Sequence, residues 1–349
     1  MTTLDEKSTD WSTPGTYRVA EGVYRIPLTL PLPDLKSVNC YALVSGGSLT
    51  LVDPGWASTT TERALAQALS DLGFALADVE QIIVTHTHWD HYTQALSLRD
   101  AYGTPVLVGA QERHTLDAFA ECAGVYPRQA THLRRCGAPD LANLIDALEL
   151  EEYERQVPFG YPDVWLEDGQ RLTVGDRTIE VHHTPGHTRG HMIVADRERD
   201  VMITGDHILP RITPSIGFER APEKLPLASF LDSLTRMKSL PDAQMLPAHG
   251  QPNHHLHERV VALLEHHRER FDAVVAQVAS GRHTAADIAA GLTWTRHEHA
   301  LTDLSEIHRM TAILEIAAHL DVLVVQGQLR KTELAGVDHF DRQTDRGRE

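Results

Sequence analysis

Cysteine is scarce in this chain. There are three in 349 residues, Cys40, Cys122 and Cys136, an odd number with no Cys-x-x-Cys pair. That argues against a disulfide framework and against a thiolate zinc site, and it suits a reducing compartment such as the cytoplasm. All three are expected as small buried apolar residues. No run of about 18 apolar residues occurs, so no membrane-spanning helix is expected. Positive charge is in deficit, with 32 Lys and Arg against 49 Asp and Glu for a net charge of −17. A surface that acidic repels nucleic-acid backbones and anionic membranes at long range. Met1–Pro14 lacks the basic start and apolar stretch of a secretory signal. Residues 1–16 read as a flexible leader and residues 339–349 as a flexible tail. Internal repeats and low-complexity stretches are missing as well.

What remains is an ordinary globular balance, 42% hydrophobic and 23% charged. The length allows one large domain and a smaller one. Tyr17–Ile26 alternates in strand fashion, with a bulge or turn expected at Gly22. Asn39–Val44 and Ser48–Val52 flank Gly46-Gly47, a strong hairpin signal. Thr59–Leu72 carries apolar residues at helical spacing and stops at Gly73. Val79–Val84 reads as a buried strand, Ala95–Ala101 as a helix and Pro105–Val108 as a strand. Such alternation predicts an α/β layered domain over 17–252. Residues 110–162 read as a more polar helical insertion placed over a site. Strands resume at Trp165-Leu166, at Gln170–Val181 with a turn at Gly175, and at Val201–Thr204. From 253 to 338 the texture changes. Helices are expected at Glu258–Val278, at Thr284–Gly291 with Thr284 as N-cap, and at Asp303–Leu320, with a hairpin strand at Val322–Val325.

The chemistry concentrates in His86-x-His88-x-Asp90-His91, which follows the buried strand directly. Strand ends in layered α/β folds expose side chains where ligands bind. Imidazole and carboxylate together suit zinc, iron or manganese. One ion cannot easily take all of these groups from so short a turn, whereas two neighbouring ions can. Further candidate ligands stand at other strand ends or in glycine-containing turns: His187 after Pro185-Gly186, Asp206 after Gly205, and His249 before Gly250.

These residues, in this order, resemble the metallo-β-lactamase superfamily and, within it, the glyoxalase II-like hydrolases. The resemblance covers about residues 17–252. It implies an αββα sandwich with two divalent metal ions, zinc first and iron or manganese as alternatives. It also implies that His86, His88 and His187 hold one ion, that Asp90, His91 and His249 hold the other, and that Asp206 bridges them. Asp53 matches a family carboxylate that braces the ligands. Two such ions, about 3.5–4 Å apart, share a water, lower its pKa and direct the hydroxide at a carbonyl or phosphoryl centre. Asp90 and Asp206 are therefore the expected catalytic groups, with Asp90 orienting the hydroxide or moving its proton. The first motif departs from the family after His91, running Tyr92-Thr93-Gln94-Ala95 in place of a glycine pair, which makes Tyr92 a candidate pocket residue. The C-terminal part resembles, more weakly, the winged-helix-like tail of some β-lactamase-like hydrolases.

Other histidines are read more plainly. His191 and His207 are expected behind the ligands or against substrate, and His183 as a hydrogen-bonded structural residue. His254, His255, His257, His266 and His267 are read as a solvated helix face, and His297, His299 and His308 as uninvolved. Trp89 lines the pocket or covers the metals. Phe159, Tyr161 and Trp165 wall a cleft or fill the core. Arg134-Arg135 reads as an exposed helical pair. The expected activity is hydrolysis of a thioester of the acyl-coenzyme A or glutathione type. The rivals are a lactonase or carboxylic-ester hydrolase, a phosphodiesterase or ribonuclease, and a metal-containing binding module without turnover. The expected partner is a small-molecule substrate, with neither nucleic acid nor membrane, and the sequence is compatible with a homodimer.

Overall fold

The computed structural model describes residues 10–32, 35–121, 124–295 and 297–343. Cys122 and residues 1–9 and 344–349 lie outside them, so the expected leader and tail are described only in part.

Two sheets form the centre. The first runs β1 (Tyr17–Ala20), β2 (Val23–Thr29), β3 (Ser37–Ser45), β4 (Ser48–Val52), β5 (Val79–Val84), β6 (Val106–Gly109) and β7 (Val164–Leu166), paired in that order. The hairpins β1–β4 are antiparallel; β4 to β7 are parallel. The second is ordered β12-β11-β10-β9-β8, from β8 (Arg171–Val174), β9 (Arg177–His183), β10 (Met192–Asp196), β11 (Val201–Gly205) and β12 (Gln244–Pro247).

Side-chain alternation sorts each strand between two cores. In β5, Ile82 and Val84 face the helices on one side, while Ile83 faces the second sheet. In β10, Met192 and Val194 face the first sheet, while Ile193 and Ala195 face helices on the far side. Both faces of both sheets are therefore covered, which explains the near-continuous apolar runs. Each fully buried Val, Leu or Ile contributes roughly 1.5–3 kcal/mol.

On the first sheet lie α1 (Thr59–Asp71), capped by the Ser58 hydroxyl, and α2 (Trp89–Tyr102). The insertion holds α3 (Arg113–Glu121), α4 (Pro127–Arg135), α5 (Pro139–Asp146) and α6 (Glu152–Arg155). On the second sheet lie α7 (Pro226–Ser239) and α8 (Leu256–Ala279). Then come α9 (Ala285–Ala290), capped by Thr284 as expected, α10 (Glu306–Val325), and the hairpin β13 (Leu329–Leu334) and β14 (Val337–Arg342). Insertion helices α4 and α5 share one core with α8, α9 and α10 through Leu133, Ile145, Val274, Ile288 and Ile316.

Some elements differ from the sequence reading. Val322–Val325 is the last turn of α10, not a strand, because Val322 and Leu323 continue the helix's buried face and Gly327 only then reverses the chain. The hairpin lies further on, so residues 339–342, read as tail, are strand. Helix α2 starts at Trp89, inside the histidine motif. His267 is buried rather than solvated, with its Nδ1 3.1 Å from His319 Nε2.

Candidate metal centre

Thr85–His88 bridges the end of β5 and the start of α2, and Asp90 and His91 occupy the first turn of α2. His187 follows β9 on the Pro185-Gly186 turn, Asp206 follows β11 and His249 follows β12. Gly205 makes the approach of these ends feasible. Its φ is +50°, and a Cβ there would stand 2.5 Å from His191 Nε2 and 2.7 Å from Thr85 Oγ1.

All of the expected ligand residues converge, in two groups. One is His86, His88, His187 and Asp206; the other is Asp90, His91 and His249, with ligand atoms inside each group within 4.8 Å of one another. His88 Nδ1 lies 2.9 Å from His86 Nε2 and 3.1 Å from His187 Nε2. His249 Nε2 lies 3.3 Å from both Asp90 Oδ2 and Asp206 Oδ1. Asp206 Oδ2 is 3.6 Å from His187 Nε2 and 3.8 Å from His91 Nε2, so this carboxylate touches both groups.

The outer ring nitrogens fix the tautomers. His187 Nδ1 donates to the Ser215 carbonyl (2.7 Å) and His249 Nδ1 to the Ser37 carbonyl (2.8 Å). His91 Nδ1 donates to Asp53 Oδ2 (2.9 Å). The Thr85 hydroxyl spends its hydrogen on Asp53 (2.7 Å), so it accepts from His86 Nδ1 (3.1 Å). In each case Nδ1 carries its proton outward and Nε2 faces the cluster, the orientation a metal ligand needs. The buried Nε2 atoms of His91 and His249 and Oδ1 of Asp206 make no hydrogen bond. Unpaired buried polar atoms are costly. At metal–nitrogen distances of 2.0–2.1 Å, neighbouring tetrahedral ligands lie about 3.4 Å apart. The spacings here are close to that, and the donor set fits divalent ions.

The electrostatics split the groups. Burial, reinforced by neighbouring imidazoles, pushes His86 well below its ordinary value and His88 down to about 3. Burial likewise lowers His187, against the pull of Asp206. For His91 burial is outweighed by Asp90, Asp53 and Asp206, which carry it up to about 9. His249 is raised in the same way by Asp206 and Asp90.

The sequence model described as Metallo-beta-lactamase superfamily matches residues 33–249, a span that contains every one of these side chains. The chain belongs to that superfamily. Among curated relatives, the probable metallo-hydrolase YqjP of Bacillus subtilis is 24% identical over 310 residues, 85% of this chain and 91% of its own length. A crystal structure of a metallo-beta-lactamase family protein from Thermus thermophilus superposes with TM-score 0.75 at 26% identity, covering 93% of this chain and all of that one. A beta-lactamase domain protein from Burkholderia ambifaria gives TM-score 0.72 at 26% identity, covering 96% and 97%. Membership makes the chain a metallo-hydrolase by fold and by donor set. No helix among the described residues is long and apolar enough to cross a membrane.

In this superfamily member the cluster forms the floor of a cavity of about 610 Å³. His88, Asp90, His187, Asp206 and His249 line its base. Trp56 and Trp89, edge to face at 5.5 Å, form one wall with Phe119 and Tyr126 of the insertion. Trp294, Leu304, Ala312 and Glu315 of the C-terminal part form another.

The remaining candidates sort clearly. Asp53 accepts from Thr85 N (2.8 Å) as well as from His91, and it holds a left-handed φ of +53°. His191 Nε2 accepts the Asp206 amide (3.2 Å) and its Nδ1 donates to Thr184 (2.8 Å), so it braces the backbone of Asp206 from behind the cluster. His207 is buried against Phe230, with no hydrogen bond to either ring nitrogen, and it does not line the cavity. Tyr92 is not a pocket residue: it is fully buried and donates to the Gly160 carbonyl (2.7 Å). Phe159 and Tyr161 line a separate smaller hollow behind Trp89, and Trp165 lies under Arg113. His183 donates to the Arg189 carbonyl (2.8 Å). Arg134 and Arg135 pair with Asp146 and Asp338. His308, read as uninvolved, lines the cavity. The roles of the Ser37 and Ser215 carbonyls and of the Thr85 hydroxyl escaped the sequence reading, because a backbone acceptor carries no residue signature.

Proposed function

We propose that this protein is a binuclear metal-dependent hydrolase that cleaves thioesters with an apolar acyl arm, of the acyl-coenzyme A type. The carrying observation is the apolar cavity opening on the two donor groups. His86, His88, His187 and Asp206 would hold one ion, and Asp90, His91 and His249 the other, with Asp206 touching both. Divalent ions there supply what the side chains lack: they ionise water near neutral pH and offset charge on the oxygen of an attacked carbonyl. The chain's own part is to orient and to exclude water. The outer hydrogen bonds of His86, His91, His187 and His249 aim each Nε2 inward. Asp90, whose Oδ2 borders the second group and whose residue lines the cavity, is placed to orient a water and move its proton. Trp56, Trp89 and Phe119 shield the reacting carbonyl and hold the acyl arm.

The cavity's charges favour an uncharged arm. Glu154, Glu219 and Glu315 line it, and the one Lys or Arg among the described lining residues, Arg220, donates to the Gly124 and Val125 carbonyls. That lining disfavours a glutathione conjugate or a nucleic-acid phosphodiester at this depth, in keeping with the net charge of −17. We read α8–α10 and the following hairpin, in winged-helix-like order, as the module that walls the cavity. The glyoxalase II-like motif order remains the basis for naming a thioester.

The test is a panel on zinc-loaded protein: octanoyl-coenzyme A, acetyl-coenzyme A, S-lactoylglutathione, a γ-lactone and bis(p-nitrophenyl) phosphate. Octanoyl-coenzyme A should be hydrolysed fastest, with activity lost to a chelator and restored by zinc. Preferred turnover of the lactone or the phosphodiester, or no turnover at all, would overturn the proposal.

A further inference from the structure

A buried carboxyl outside the candidate ligand set touches two of the three chain segments that carry the first group, those of its histidines. Glu112 ends the short turn Ala110–Glu112 that follows β6, and it has no exposed surface. Its Oε2 accepts the Thr87 amide (3.2 Å) and the Thr87 hydroxyl. Its Oε1 accepts the Thr188 hydroxyl and the Gly190 amide (3.1 Å). Thr87 stands between His86 and His88, and Thr188 follows His187. The backbone is packed to match: a Cβ on Gly190 would stand 2.1 Å from the Glu112 nitrogen.

Among the described residues Glu112 has no ion-pair partner; burial, and after it Glu219, push its carboxyl up to about 7, against the hydrogen bonds from Thr188 and Thr87. A buried carboxyl without a counter-charge is an expensive way to fill space, and an apolar side chain would serve packing as well. What only a carboxylate offers is two oxygens that accept on both sides in one rigid plane. Here each oxygen serves one of the two segments that bring His88 Nδ1 and His187 Nε2 to 3.1 Å.

We propose that Glu112 is a positioning residue for the first metal group: it sets the separation of the His86–His88 segment from the His187 segment, and so the fit of the ion between them. This inference rests on the two-ion reading above. Asp53 contacts the second group directly through His91 and reaches the first only through Thr85 and His86, so Glu112 is the carboxylate that spans the His86–His88 and His187 segments.

The experiment is a cobalt(II) titration of the full chain, followed by visible absorption and chelator competition, on wild type, Glu112→Gln and Thr188→Val. Glutamine must turn its NH2 toward one segment, where the backbone amide of Thr87 or Gly190 cannot accept. Valine removes one donor and keeps the shape, which covers the case of a glutamine variant that does not fold. Glu112→Gln should weaken one ion roughly 10–100-fold and alter its absorption band, with the other ion within about twofold of wild type. Thr188→Val should weaken the same ion by a smaller factor. Wild-type affinities and spectra in the variants, or equal weakening of both ions, would overturn the inference. A wild-type chain that takes up no cobalt would overturn the two-ion reading itself, and the inference with it.

Discussion

Asp53 Oδ2 accepts the Nδ1 hydrogen of His91 at 2.9 Å, from a backbone held at φ +53°. A non-glycine residue in that region is disfavoured and persists only where its surroundings hold it. Here two hydrogen bonds from Thr85 do so, and they tie the end of β4 to the end of β5. Asp53→Asn keeps the size and tolerates the backbone, but its amide cannot accept on both sides. It should weaken the second ion, which it touches directly through His91, roughly 10–100-fold and the first, reached only through Thr85 and His86, by a smaller factor, as read by chelator competition.

Proton competition should separate the two groups. His88 is held down to about 3, and His86 and His187 are also lowered, so these rings are neutral through the neutral range. His91 is carried up to about 9 and His249 is raised, so in metal-free protein both are protonated at pH 7 and must release a proton to bind metal. Affinity for the second ion should therefore climb as pH rises, about tenfold per unit for each proton released, with the His91 contribution levelling off above about pH 9. Affinity for the first should change little above about pH 6. Zinc calorimetry in buffers of different ionisation enthalpy counts those protons directly.

The cavity wall should control chain length. Ala312 faces the cavity from α10. If α10 walls the far end of the acyl arm, Ala312→Phe should lower kcat/KM for octanoyl-coenzyme A at least tenfold and leave acetyl-coenzyme A within about twofold. A uniform loss on both substrates would place the acyl arm elsewhere.

The convergent His and Asp cluster was legible because its signal is chemical. His86, His88, Asp90 and His91 stand in one turn after an apolar strand, and His187, Asp206 and His249 each follow a strand end. β5 was legible as a short run of β-branched apolar residues, because both of its faces are covered. Less was readable where packing between distant segments decides. Val322–Val325 looks like a strand because β-branched residues suit one, yet burial against α4 and α8 makes it helix. His267 sits in a polar run, and only the crossing of α8 with α10 buries it beside His319. Tyr92 neighbours a ligand in sequence, but the period of α2 turns it away from the cavity. Glu112 carries no motif at all, since its role exists only once β6 is laid beside the Thr188–Gly190 turn.

The most direct measurement is an anomalous-scattering map from crystals of zinc-loaded protein, recorded on both sides of the zinc edge. Two peaks should appear, one bounded by His86 Nε2, His88 Nδ1 and His187 Nε2, the other by Asp90, His91 Nε2 and His249 Nε2, with the Asp206 carboxylate beside both. A map with no peak in that cluster, or with zinc bound only elsewhere on the chain, would contradict the account.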